Sequence, residues 1–356
     1  MRLIFFAMIC VLLLGCAPRG VIESGAPAPE ASVREVFVAR FRQDTGQVKN
    51  FGARRPGELS FERLSVSIPP THQVGQVEWP RGTPDARTDF VTVDSETYPD
   101  MASFARAIAA SDRSGERESV IHVHGYNTTH GEAVYGAAQV AYDMDVPVPM
   151  VIFSWPSAAQ TKGYVYDRDS ALISRDQLEE LIVTLADDPG RDVFLTAHSM
   201  GSYLLMETLR QIEVSGRLDL HTDISGVTLL APDIDPELFR QQATRIGDLP
   251  EPFIVVVAEQ DKALRFSGGL TGRGVRLGTL TDPEELTGLG VTLVDVGTLS
   301  DGKRYDHNIS NTSPAAIAIF RKLNEIAPPG ELPALETIIR ADQAEDGLLS
   351  RFTRGQ

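Results

Sequence analysis

Short, strongly apolar runs alternate along this chain with longer stretches whose apolar positions recur every three or four residues. The runs are Val33–Phe41, Leu64–Ile68, Ser119–His124, Val148–Phe153, Asp192–Thr196, Gly226–Leu230, Phe253–Ala258 and Val291–Val296. Their length predicts strands, and their near-continuous apolar character predicts burial on both faces. Between them, His130–Met144, Asp169–Ala186, Met200–Val214 and Pro236–Ile246 carry helical patterns. In the second of these, Leu178, Leu181, Ile182 and Leu185 share one face. Such alternation predicts an α/β protein whose mainly parallel, doubly wound sheet has eight strands and helices on both faces. Two long stretches, Gly46–Arg63 and Leu264–Leu289, read as irregular. The second could cover a substrate or form a plain surface loop. A tail after Pro328-Pro329 holds a short expected helix near Leu335–Asp342.

Composition narrows the classes. Apolar residues make up 42% of the 356 positions, enough for a large core. A net charge of −16 disfavours nucleic acid and direct adsorption to anionic lipid headgroups. The start of the chain stands apart from the rest. Arg2 precedes an uncharged apolar run, Leu3–Leu14, which is too short to span a bilayer but suits a secretory signal. It ends in Leu13-Leu14-Gly15-Cys16, which resembles the lipobox of bacterial lipoproteins. That resemblance implies cleavage after residue 15 and a diacylglycerol on Cys16, with Cys10 lost; a plain secretory signal is the alternative. Residues 16–32, rich in Pro, Ala, Gly and Glu, then read as a flexible tether, 33–326 as the folded domain and 327–356 as a C-terminal tail. No later segment is long and apolar enough for a membrane span.

The chemistry concentrates where one strand meets one helix. Thr196-Ala197-His198-Ser199-Met200-Gly201 matches a nucleophile elbow with Ala197 in place of the usual first glycine. The tight turn needs small residues two before and two after the nucleophile, and Ala197 and Gly201 supply them. Ser199 is the candidate nucleophile, and the Met200 amide, at the helix start, faces a developing oxyanion. Serine needs a base. In this arrangement the chain order is Ser, acid, His, which leaves His221 and His307. His221 precedes a strand, at its wrong end, so His307 is favoured. Asp261, after strand Phe253–Ala258, is the favoured acid, with Asp233 and Asp235 as rivals and Asp306 too close to His307 to face its ring. After Ser119–His124, Gly125 allows close backbone approach, and the Tyr126 amide is a second oxyanion donor. His122 and His124 share a strand face, as metal ligands sometimes do, but no acid-rich partner set follows, so no metal is expected.

The chain resembles the α/β-hydrolase superfamily, and more closely a bacterial envelope family of uncharacterised esterase- or lipase-like proteins. The resemblance rests on Val123-His124-Gly125-Tyr126-Asn127, Phe153-Ser154-Trp155-Pro156-Ser157, Ala197-His198-Ser199-Met200-Gly201, Ala231-Pro232-Asp233-Ile234-Asp235 and Asp261-Lys262-Ala263-Leu264. It implies the hydrolase fold, a Ser199–Asp261–His307 triad and no cofactor. Trp155 and Tyr126 could line the pocket or belong to the core, and Asp233 could order a loop near the site. The expected function is hydrolysis of a small-molecule or lipid ester by a serine hydrolase. The expected location is the periplasmic side of the bacterial envelope, most readily the outer membrane, through the Cys16 anchor. Acyl transfer or lipid remodelling, and a non-catalytic scaffold on the same fold, are the alternatives.

Overall fold

The computed structural model describes residues 19–42, 57–188, 190–272, 274–299, 306–318, 321 and 338–340. The apolar signal run, Cys10 and Cys16 lie outside these residues, as do 46–56 of the first irregular stretch and most of the tail. Ten strands form one sheet: β1 (Ser32–Phe41), β2 (Leu59–Ile68), β3 (Val91–Tyr98), β4 (Glu118–Val123), β5 (Met150–Ser154), β6 (Asp192–His198), β7 (Ile224–Leu230), β8 (Phe253–Val257), β9 (Val291–Asp295) and β10 (Ile338–Arg340). Their spatial order is β10-β9-β8-β7-β6-β4-β5-β1-β2-β3. Pairing is parallel from β10 through β1, whereas β2 runs antiparallel to both β1 and β3.

Two strands exceed the expected eight. β3 escapes a search for continuous apolar runs because its second half, Asp94–Thr97, is exposed; it is an antiparallel edge strand with one wet end. β10 corrects the helix expected near Leu335–Asp342: Ile338–Arg340 pairs in parallel with Leu293–Asp295. An uncovered edge of β9 offers unpaired backbone groups, which a β-branched Ile-Ile pair can meet.

The helices include α1 (Met101–Ser111), α2 (His130–Asp143), α3 (Tyr164–Ile173), α4 (Arg175–Ala186), α5 (Met200–Ser215), α6 (Pro236–Ile246), α7 (Lys262–Leu270) and the single turn α8 (Ile309–Thr312), and residues 314–318 are helical as well. Their ends follow local chemistry. Capping boxes start α1 (Asp100 with Ser103) and α2 (Thr129 with Glu132), and Gly216 in the left-handed region closes α5. The helix expected over Asp169–Ala186 is two helices that meet at Ser174, whose buried hydroxyl donates to the Ser170 carbonyl at 2.7 Å. Such back-bonding bends a helix, and here it separates two. The main core lies between the sheet and α1, α4 and α5, with Leu195, Leu204, Leu178 and Val227 fully buried.

Two stretches read as irregular or flexible are ordered in part. Residues at the start of the described chain are bound to the body: Gly25 donates to the Thr92 carbonyl at 3.1 Å and Thr92 returns the bond to Glu23 at 2.8 Å. This corrects the tether over those residues, because a backbone bridge beside β3 satisfies groups that a free tether would leave to water. In 264–289 the chain starts in α7 and then lies across the ends of β7 and β8. There Leu277 and Leu280 are buried, and Gly278 bonds through its backbone to Pro232 and Ala258.

Candidate active site

β6 delivers Ser199 at its carboxyl end, and α5 begins one residue later. Ser199 adopts φ 53° and ψ −121°, a conformation that L-residues rarely hold and that surroundings must enforce. They do so from both sides. The Ser199 N–H donates to the Leu230 carbonyl at 2.9 Å, and its own carbonyl accepts from Asp233 at 3.1 Å and Ser202 at 3.0 Å. The need for small residues is visible in contact terms. Ala197 is fully buried, and a Cβ on Gly201 would collide with the carbonyl oxygens of Val123 and His124. A Cβ on Gly125 would press on Ser199 Cβ at 3.1 Å and on His198 Nδ1 at 2.7 Å.

His307 sits in a short 3₁₀ turn, Asp306–Asn308, that follows β9. Its Nδ1 donates to Asp261 Oδ2 at 2.7 Å. Asp261 is fully buried at the head of α7, where its other oxygen accepts from the Ala263 and Leu264 amides at 2.9 and 3.0 Å. One carboxylate therefore caps a helix and orients an imidazole, one oxygen for each. Burial alone would raise the Asp261 pKa; the bond and charge of His307, with the two amides, outweigh it and hold the group below its usual range. With Nδ1 committed, Nε2 is the nitrogen left to take a proton.

Ser199 and His307 line one cavity, together with Tyr126, Tyr164, Lys262 and Phe266. The Met200 and Tyr126 amides donate to no acceptor among the described residues. The loop that carries Tyr126 is fixed from behind by Asp167, which is fully buried and accepts from the Asn127 amide at 3.2 Å, Ser157 Oγ at 2.6 Å and the Ala158 amide at 2.6 Å. Asn127 takes φ 56° there.

Residues 101–323 match the family model described as alpha/beta hydrolase of unknown function (DUF900). The chain belongs to that family. Among curated proteins no relative matches. Solved structures similar to this α/β hydrolase include Aspergillus fumigatus lipase B, at 15% identity and a TM-score of 0.41, over 68% of this chain and 60% of that one. A putative hydrolase of the α/β superfamily from Xanthomonas campestris is 18% identical with a TM-score of 0.31, over 59% of this chain and 98% of that one. Brefeldin A esterase, a bacterial homologue of human hormone-sensitive lipase, is 15% identical with a TM-score of 0.35, over 85% of this chain and 79% of that one.

The rival candidates of this α/β hydrolase are occupied elsewhere. Asp233 is buried with both oxygens engaged: Oδ2 accepts from Tyr164 Oη at 2.9 Å, and Oδ1 accepts from Ser267 Oγ at 2.8 Å and lies 3.1 Å from Arg276 Nε. It orders the loop after β7. Asp235 caps α6 through the Glu237 and Leu238 amides, and His221 is exposed in a turn. Trp155 is a core residue: its ring stacks on His124 at 5.1 Å and its Nε1 donates to the His124 carbonyl at 2.8 Å. Tyr126 reaches the cavity, with its hydroxyl donating to the Thr161 carbonyl at 2.8 Å. His122 Nδ1 lies 2.8 Å from Thr196 Oγ1, and His124 Nδ1 donates to the Gly125 carbonyl at 2.8 Å. Desolvation pushes both imidazoles down to about 4, so they are neutral at ordinary pH. Among the described residues no cluster of three or more His, Cys, Asp or Glu is placed to hold a metal.

Sequence reasoning missed Asp167, Tyr164 and the role of His198. His198 Nε2 donates to the His307 carbonyl at 3.0 Å, with the two rings 4.6 Å apart. Burial, then the neighbouring His307, pushes the His198 pKa down to about 3, which keeps it a neutral donor. Its position inside the elbow motif was the one available signal. Tyr164 and Asp167 stand three residues apart on α3 and belong to no recognisable pattern.

Proposed function

We propose that the protein is a serine hydrolase acting on carboxylic esters through an acyl-enzyme on Ser199. The observation that carries this reading is a serine in an enforced, strained turn, sharing one cavity with an imidazole whose far nitrogen is held by a buried carboxylate. His307 Nε2 takes the Ser199 hydroxyl proton as Oγ bonds to the ester carbonyl carbon. The Met200 and Tyr126 amides hold the resulting oxyanion. As the tetrahedral intermediate collapses, the C–O bond to the leaving alcohol breaks, and His307 returns the proton to that alcohol. Water then repeats the sequence and releases the acid, while Asp261 stabilises the imidazolium each time it forms. An ester suits this site because an alkoxide leaves more easily than an amine.

The lipobox-like Leu13-Leu14-Gly15-Cys16 supports a second element of the reading, a lipid anchor on Cys16 that holds the enzyme at the envelope. Fluorophosphonate labelling with mass mapping tests the chemistry. The label is expected on Ser199, and Ser199→Ala is expected to lower ester turnover by at least about a thousandfold. A folded protein that takes no label, or a variant that turns over normally, overturns the reading.

A further inference from the structure

The chain carries its acidity unevenly. Between residues 262 and 281 there are four cations, Lys262, Arg265, Arg273 and Arg276, and no acid, in a protein of net charge −16. This stretch starts with α7, directly after the candidate catalytic acid. Arg276 is buried and spent on Asp233, and Arg273 lies outside the described residues. Lys262 and Arg265 are exposed. Lys262, Phe266 and Leu270 follow one another at intervals of four, which places them on one face of α7. Phe266 is 57% exposed and Leu270 55%, while Leu264, Ser267 and Gly268 face inward. The outer face is therefore an apolar stripe with cations beside it.

A second exposed pair stands on the α3 side, next to Thr161 and Tyr164, which line the cavity. Lys162 and Val165 are exposed at the start of α3, Val165 by 72%. The two helices are tied together beneath the surface: Tyr164 of α3 and Ser267 of α7 bond to the two oxygens of the one Asp233 carboxylate. Lys262 and Phe266 also line the cavity that holds Ser199, as do Thr161 and Tyr164 from the α3 side. Of the nearby acids, Asp167, Asp233 and Asp261 are buried and bonded, whereas Glu259, at the foot of α7, and Asp169, one turn after Val165 on α3, are exposed beside the cations.

We propose that this rim docks on an anionic lipid surface, with Phe266, Leu270 and Val165 entering the acyl boundary and Lys162, Lys262 and Arg265 meeting headgroups. This deepens the serine hydrolase reading and rests on it: the substrate class becomes an ester presented at a membrane. Apolar side chains set among cations fit a surface that is anionic outside and hydrocarbon beneath, whereas an acidic protein would use the charges and leave the stripe wet. Net repulsion from −16 acts over the whole molecule but is screened beyond about 8 Å at physiological salt, so the local rim governs close contact. Each basic residue near an anionic surface contributes roughly a fivefold gain in binding.

The test titrates the full chain against vesicles of phosphatidylcholine alone and of phosphatidylcholine with about one third phosphatidylglycerol, with anything residues 1–16 contribute common to every variant. Partitioning is expected to be about tenfold stronger on the anionic vesicles and to weaken with added salt. Arg265→Glu and Leu270→Ser, neither lining the cavity, are each expected to lower it at least about fivefold while hydrolysis of a short, water-soluble ester is unchanged. Equal partitioning of the unmodified chain on both vesicles overturns the proposal without reference to any variant. Selective binding lost on addition of an acidic peptide, but insensitive to Leu270→Ser, assigns the rim to a protein instead. Absence of soluble-ester turnover in the unmodified chain overturns the hydrolase reading by itself, since vesicle partitioning is read separately.

Discussion

Two histidine–carboxylate contacts in this molecule look alike and do different work. At the site, His307 Nδ1 lies 2.7 Å from Asp261; between the 69–90 segment and α2, His72 Nε2 lies 2.9 Å from Asp143. Both carboxylates are fully buried. The difference is the second imidazole nitrogen. In His72 it is also spent, on Glu78 at 2.9 Å, so the ring bridges two carboxylates and has no nitrogen left for a substrate. Asp143 is equally saturated, accepting from the Gly75 amide at 2.7 Å and Gln139 at 2.5 Å. That cluster fastens the 69–90 segment to α2. A buried His–Asp pair can move a proton only when one nitrogen stays unspent, and of these two histidines it is His307 that lines the cavity with Ser199.

The comparison is tested most strongly at Asp261. Asp261→Asn keeps an oxygen for the α7 cap but removes the charge that fixes the His307 tautomer; kcat for an ester is expected to fall by about a thousandfold or more. A loss under tenfold would make the two His–Asp pairs equivalent and both structural. Asp233 offers the reverse expectation. Asp233→Ala leaves the Arg276 charge buried without its partner, so unfolding free energy should drop by about 3 kcal/mol in a denaturant titration. Turnover by the fraction that stays folded should change far less than in Asp261→Asn. If Asp233→Ala abolished turnover in folded protein while Asp261→Asn did not, the two acids would have to exchange roles.

A smaller effect is expected from His198→Phe, which removes the donor to the His307 carbonyl while filling the space. Loss of one positioning bond should lower kcat about tenfold with KM little changed. An equal rise in KM would point to a general loosening of the pocket. The smallest effect is a slope. Burial alone would lower the His72 pKa, but the bonds and charges of Asp143 and Glu78 outweigh it and raise the group above its ordinary 6.5. A raised folded-state pKa contributes stability that is fully present below the unfolded value and is lost as pH rises through the folded value. The melting temperature should therefore decline as pH rises above neutrality, and His72→Gln should flatten that decline. Asp261 has the opposite sign: its depressed pKa adds stability above the unfolded carboxylate range that disappears in acid.

Much of this site was legible before any coordinates because its parts are constrained by the chain itself. Small residues around Ser199 are demanded by the turn, and the turn must sit between a strand and a helix, which periodicity alone reveals. Asp261 was legible from its place after a buried strand, and its capping of α7 explains why an acid suits a helix start. Asp167 was not legible, because a carboxylate that gathers Asn127, Ser157 and Ala158 draws on segments up to 40 residues away. Nor was β3, whose exposed half lacks the apolar signature that central parallel strands carry.

By itself the sequence determined the alternating strands and helices, the strained elbow and the acidic balance. Those properties depend on neighbouring residues and on counts. Only the tertiary structure decided that His72 spends both ring nitrogens while His307 spends one on Asp261, that Asp233 is engaged by Tyr164, Ser267 and Arg276, and that Phe266 and Leu270 stay exposed. Each of those is a question of which distant groups compete for the same atom or the same surface, and that competition is settled only by packing.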